Sequence, residues 1–194
     1  MRTVELTIDE HNERYEVNAI SLVEQPAIEE DFFAFSKEEV QFKELEDKKM
    51  IIGLALVPDK KIPRRAEDGS LYEVIMSKET VRKASHIYLK RLHNNNTTLH
   101  HEKDVSGVSV VESWIVEDVE MDKLNLYGLK PKEGAWAVMM KVNNQEVWDS
   151  VKRGEVLGLS IEGVFKPQEV EAQLSTDLTD EELLDEMREE LNRL

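Results

Sequence analysis

Residues 135–165, AWAVMMKVNNQEVWDSVKRGEVLGLSIEGVF, decide how this chain folds. Both ends are short apolar runs, AWAVMMKV (135–142) and VLGLSIEGVF (156–165), bounded by Gly, Asn or Pro, which is how strands read. Between them Asn143, followed three residues later by Glu146, opens a helix. That helix buries Val147, Trp148 and Val151 and stops at Gly154 in the C-cap position. Working outward, MIIGLALVP (50–58), LYEVIM (71–76) and VSVVESWIVED (108–118) are strands of the same kind. A second helix follows Ser77, a good N-cap, and sets Val81, Ala84, Tyr88 and Leu92 on one stripe before Asn94–Asn95–Asn96 ends it. Strands that do not alternate regularly with helices predict a mixed α+β fold with mainly antiparallel pairing.

Charge divides the 194 residues further. Acidic residues number 41 against 25 basic, a formal charge of -16, which argues against a surface that tracks phosphates, so nucleic acid is not an expected partner. Residues 1–49 carry 14 acidic and 6 basic side chains and residues 166–194 carry 10 and 3, so 50–165 is nearly neutral. The reading is an acidic N-terminal arm (1–49), a domain (50–165), and an acidic linker with a C-terminal amphipathic helix (166–194). VELTI (4–8) is an edge strand of the arm, and ISLVEQPAIEEDFFAFSKEE (20–39) either docks on a partner or covers the domain's own core. Leu178, Thr179, Glu182 and Leu183 form a hydrophobic staple and capping box for the terminal helix. With no cysteine, disulfides, thiol nucleophiles and cysteine zinc sites are excluded, and the cytosol is the natural compartment. No apolar leader or ~20-residue apolar span occurs, so a membrane is not an expected partner either.

The chemistry then falls to hydroxyls and five histidines. His11, His86 and His93 read as solvated surface residues. His100 and His101 close the segment TTLHHE (97–102), which reads as a strand; neighbours on a strand face opposite sides, so one points in and one out. Adjacent strand residues do not bring two rings to one metal, so neither a metal nor another cofactor is expected. GLSIEG (158–163) is not a nucleophile elbow, because its second glycine is one residue too far and a strand follows. Ser160 needs a base, and the tandem histidines are the candidates in the same sheet region. Glu112, flanked by valine and serine, offers a third group, and Trp114 on the same strand face would shield it. Glu162 shares the strand face of Ser160, where its charge would repel an oxyanion or disfavour acidic peptides. Arg64–Arg65 reads as a solvated basic turn rather than an electrophilic helper.

In their order, ISLVEQPAI…FFAFS, TTLHHE, GVSVVESWIVED, EGAWAVMMKV and GEVLGLSIEGVF resemble the phage prohead (procapsid) maturation proteases, in particular their phage serine protease branch, over roughly residues 18–166. The resemblance implies a serine endopeptidase with a barrel-like sheet similar to the herpesvirus assemblins. It also implies substrates (scaffold, capsid-protein extensions and the enzyme itself) and a place of action inside the procapsid in the host cytoplasm; self-association stays open. Carried over by motif, the nucleophile is Ser160, the base is His101 with His100 as the alternative, and the third member is Glu112.

Overall fold

A computed structural model describes residues 2–24, 42–66 and 68–169. In chain order the elements are β1 (Arg2–Thr7), β2 (Glu16–Val23), β3 (Phe42–Leu45), β4 (Met50–Leu56), β5 (Ile62–Arg65), β6 (Leu71–Ile75) and α1 (Lys78–Lys90). There follow β7 (Thr97–Leu99), β8 (Lys103–Val105), β9 (Val108–Ile115), β10 (Trp136–Val142), α2 (Gln145–Lys152), β11 (Gly158–Val164) and β12 (Lys166–Glu169). The strands form three four-stranded sheets in the orders β12-β1-β6-β5, β3-β4-β10-β9 and β11-β2-β7-β8. Among the described residues only β1–β6 and β2–β7 are parallel. The α+β class and the mainly antiparallel pairing are therefore as expected. The barrel is not: the three sheets are open, and β11 stands at an edge of its sheet instead of pairing onward.

Burial explains why the central runs are so continuously apolar. Trp136, Val138, Met140 and Val142 of β10 enter the main core, while Ala137 and Met139 enter a second, smaller one on the opposite face. The neighbouring β4 divides the same way, with Ile51 and Ala55 on one side and Ile52 and Leu54 on the other. A strand covered on both faces loses the alternation of a half-exposed one. Each fully buried aliphatic side chain contributes about 1.5–3 kcal/mol relative to exposure.

Both helices form where the caps place them. The Ser77 hydroxyl accepts from the Thr80 N–H, and α1 buries Val81, Ala84 and Tyr88. Leu92 does not extend the stripe and is 78% exposed. The Arg91 N–H closes the last turn on Ile87, and the chain turns left-handed at Leu92 (φ 60°), which carries that side chain off the helical face. In α2 the cap is Asn144, whose Oδ1 accepts from the Val147 N–H, one residue later than expected; the Asn143 N–H is instead bound to the Gly107 carbonyl.

The acidic arm also needs correction. β1 lies between β12 and β6 and so is not an edge strand, and β2 lies between β11 and β7 with Val17, Ile20 and Leu22 fully buried. Residues 2–23 thus belong to the folded body, and so do 166–169 through β12. An excess of charge marked these segments as arms, but a strand pays for exposed acids with one buried apolar face. The phenylalanine segment and the helix expected over 178–194 lie outside the described residues. At the end of β11 the ladder slips between Glu162 and Gly163. A Cβ at Gly163 would sit 2.2 Å from the Glu16 carbonyl oxygen, so only glycine permits this approach, beyond which the chain crosses into the first sheet as β12.

Candidate functional site

His100 and His101 are not on a strand. They occupy the centre of the reverse turn between β7 and β8, with φ of 54° and 60° and the Glu102 N–H bonded to the Leu99 carbonyl at 3.1 Å. Two consecutive positive φ values are the pattern of a type I′ hairpin turn. Left-handed conformation costs a side-chain-bearing residue roughly 1–2 kcal/mol. Two contacts with β2 hold it here: the His100 N–H donates to the Leu22 carbonyl at 2.9 Å, and the His101 N–H donates to the Ser21 hydroxyl at 3.0 Å. The strand argument for one ring in and one out therefore does not apply; the turn and its anchoring decide where each ring goes.

Sheet register brings the serine strand to this turn. Ser160 on β11 lies opposite Ser21 on β2, which lies beside Thr98 on β7, so three hydroxyl residues form one row across the sheet. Glu162, two residues on from Ser160, sits on the same face opposite Ala19. Ala19 and Ser21 are themselves buried, and the Glu162 carboxylate accepts a hydrogen bond from the Thr98 hydroxyl. The same oxygen, Oε1, is 3.1 Å from Nδ1 of His101. An ionised carboxylate can only accept, so this contact places the proton on Nδ1 and leaves the Nε2 lone pair available.

Ser160, His101 and Glu162 line one cleft of about 500 Å³, walled by apolar residues such as Leu56, Ile62 and Phe165 and also reached by Lys60 and Arg64. Ser160 is half-buried, and among the described residues no hydrogen bond joins its hydroxyl to either imidazole. His100 does not line the cleft. Among the described residues no three His, Asp or Glu side chains converge as a metal site requires.

Glu112 lies elsewhere. It is on β9, at the edge of the second sheet, with 48% of its side chain exposed and an ion pair to Lys123. Trp114 does not shield it: the indole N–H donates to Asp122 and the ring carries the Lys123 ammonium at 3.8 Å from its centroid. The carboxylate beside the imidazole is Glu162, and it is turned to His101 and Thr98 instead of standing as an unpartnered charge beside Ser160. Its place two residues from Ser160 was a usable signal. Ser21 and Thr98 gave none, because only register connects them to the site. Arg64 is on β5 and not in a turn.

The family model described as "Putative phage serine protease XkdF" matches residues 38–169 of this chain. The chain belongs to this family. The match takes in Lys60, Arg64, His101, Ser160 and Glu162, whereas β1 and β2 precede it, so the XkdF-type core borrows Ser21 from a segment outside the matched region. Among curated proteins the chain is 26% identical over 178 residues to "Uncharacterized protein YqbD" of Bacillus subtilis (strain 168), a stretch covering 85% of this chain and 50% of that protein. The chain thus spans about half the length of this relative. No solved structure matches it.

Proposed function

We propose that this chain is a serine endopeptidase of phage procapsid maturation, in which Ser160 is the nucleophile, His101 the general base and Glu162 the carboxylate that holds the base. One observation carries the reading: a serine hydroxyl, and an imidazole whose Nδ1 is engaged by a carboxylate, open into the same cleft. In the reaction the Ser160 hydroxyl oxygen attacks the scissile carbonyl carbon while His101 Nε2 takes the hydroxyl proton. Collapse of the tetrahedral species breaks the C–N bond, the imidazolium returns its proton to the leaving amine, and an acyl-serine remains. Water, deprotonated by the same nitrogen, then releases the acid and restores the serine. Glu162 stabilises the imidazolium that exists between these transfers. Catalytic hydrogen bonds are commonly long in an unliganded enzyme and close when substrate excludes water, which accommodates a Ser160 hydroxyl not yet bonded to the ring.

The proposed substrates are scaffold, capsid-protein extensions and the chain's own acidic ends, cut inside the procapsid in the host cytoplasm; kinship with the assemblins belongs to the same proposal. The alternative is a non-catalytic capsid-assembly or scaffold protein that keeps the fold, and the missing hydrogen bond between Ser160 and an imidazole favours it. A fluorophosphonate separates the two. Labelling between pH 6 and 9 that is abolished by Ser160→Ala and strongly slowed by His101→Ala supports the peptidase, and absence of labelling supports the assembly protein.

A further inference from the structure

Four of the chain's basic residues fall within six positions, Lys60–Lys61–Ile62–Pro63–Arg64–Arg65, although acids outnumber bases overall by 41 to 25. The strand alternation of β5 and the residues just before it sorts them. Lys60, Ile62 and Arg64 line the cleft that holds Ser160. Lys61 and Arg65 point away, Lys61 to the Glu73 carboxylate at 3.2 Å and Arg65 to the Gly69 carbonyl at 3.4 Å. Two cations therefore converge on the cleft by register, and the Arg64 guanidinium brings Nη1 out of contact with solvent.

Glu162 is the one acidic residue among the described residues that line this cleft, and its Oε1 is already committed to Thr98 and His101. The remaining walls are apolar side chains, including Leu56, Met76 and Phe165. Charge recognition strengthens where water is excluded by such walls.

We propose that the cleft selects peptides carrying an acidic side chain beside the bond that is cut, with Lys60 and Arg64 as the specificity-determining residues. This rests on the serine-peptidase reading of the same cleft. Lys60 and Arg64 both take part in polar contacts in the resting protein, so the substrate carboxylate joins or exchanges with an existing polar arrangement. A basic substrate side chain meets like charge in the same place, which makes the discrimination repulsive as well as attractive. Residues 25–41 and 170–194 of the chain itself, rich in Glu and Asp, have the composition such a cleft accepts.

The test uses the full chain and diphenyl phosphonates that bear a glutamate-like, glutamine-like or lysine-like side chain next to phosphorus. A plain alkyl fluorophosphonate serves as the reference for serine reactivity. The expected result is labelling of Ser160 about tenfold faster by the acidic probe than by its amide isostere. Lys60→Gln and Arg64→Gln should each reduce that ratio severalfold, with both probes measured on the same variant so that any general change in serine reactivity cancels. Lys60→Glu should move the preference toward the lysine-like probe, an outcome that misfolding does not produce. Equal or faster labelling by the amide or lysine-like probe, or a ratio indifferent to both Gln variants, overturns the acidic preference and leaves the serine reading standing. Failure of every probe, the reference included, overturns both.

Discussion

Replacing Glu162 with Gln should slow phosphonylation of Ser160 about tenfold, and the figure follows from one contact. The Glu162 carboxylate accepts a hydrogen bond from His101 Nδ1 at 3.1 Å, with both side chains 29% exposed. A hydrogen bond to a charged group contributes about 1.5–3 kcal/mol, and a neutral one about half as much. Glutamine keeps an acceptor oxygen but loses the charge that stabilises the imidazolium, so the loss is about 1–1.5 kcal/mol at the transition state, where 1.36 kcal/mol is a factor of ten. Glu162→Ala also frees the ring to turn and should cost nearer a hundredfold. The assay is the second-order rate of fluorophosphonate labelling, followed by mass spectrometry, with circular dichroism establishing that each variant is folded. A tenfold loss for Gln and a larger one for Ala supports Glu162 as the orienting carboxylate. Rates within about twofold of wild type for both variants would show that the 3.1 Å contact has no part in serine activation.

Glu112→Ala, in contrast, should leave the labelling rate unchanged and cost at most about 1 kcal/mol of stability, because an exposed ion pair to Lys123 is all that it loses. Gly163→Ala should destabilise the fold by about 1–3 kcal/mol or more in denaturant titration, since its Cβ meets backbone that cannot yield. Tyr88→Phe should be neutral or stabilising by up to about 1 kcal/mol: the Tyr88 hydroxyl is buried with no hydrogen-bond partner among the described residues, and burial drives its pKa upward. Partial burial opposes ionisation of Glu16, but hydrogen bonds from Arg91 and His93 outweigh it and hold the carboxyl below its usual 4.5. A depressed folded-state pKa gives stability that is present above 4.5 and is lost as pH falls through the folded value. Thermal unfolding of Glu16→Gln should therefore show a shallower acid limb below that pH than wild type; parallel curves would contradict the assignment.

Local chemistry is written into the chain and needed no tertiary information. Five strand runs, the Ser77 cap, the buried face of α2 and the stop at Gly154 follow from side-chain periodicity, capping hydroxyls and the conformational freedom of glycine, all of which act within a few residues. The motif order was enough to point to the phage serine protease family. What distant strands do to one another was not legible. The tandem histidines read as strand because nothing within TTLHHE announces that β7 ends at Leu99; the turn exists because the Leu22 carbonyl and Ser21 hydroxyl on a parallel neighbour accept the two histidine N–H groups. The acidic arm became the buried strand β2 for a similar reason, since net charge does not reveal which face of a strand another sheet covers. That Glu162, and not Glu112, lies beside His101 is a matter of register: each strand offers two faces and many partners, and only pairing across the sheet fixes which side chains come within hydrogen-bonding distance.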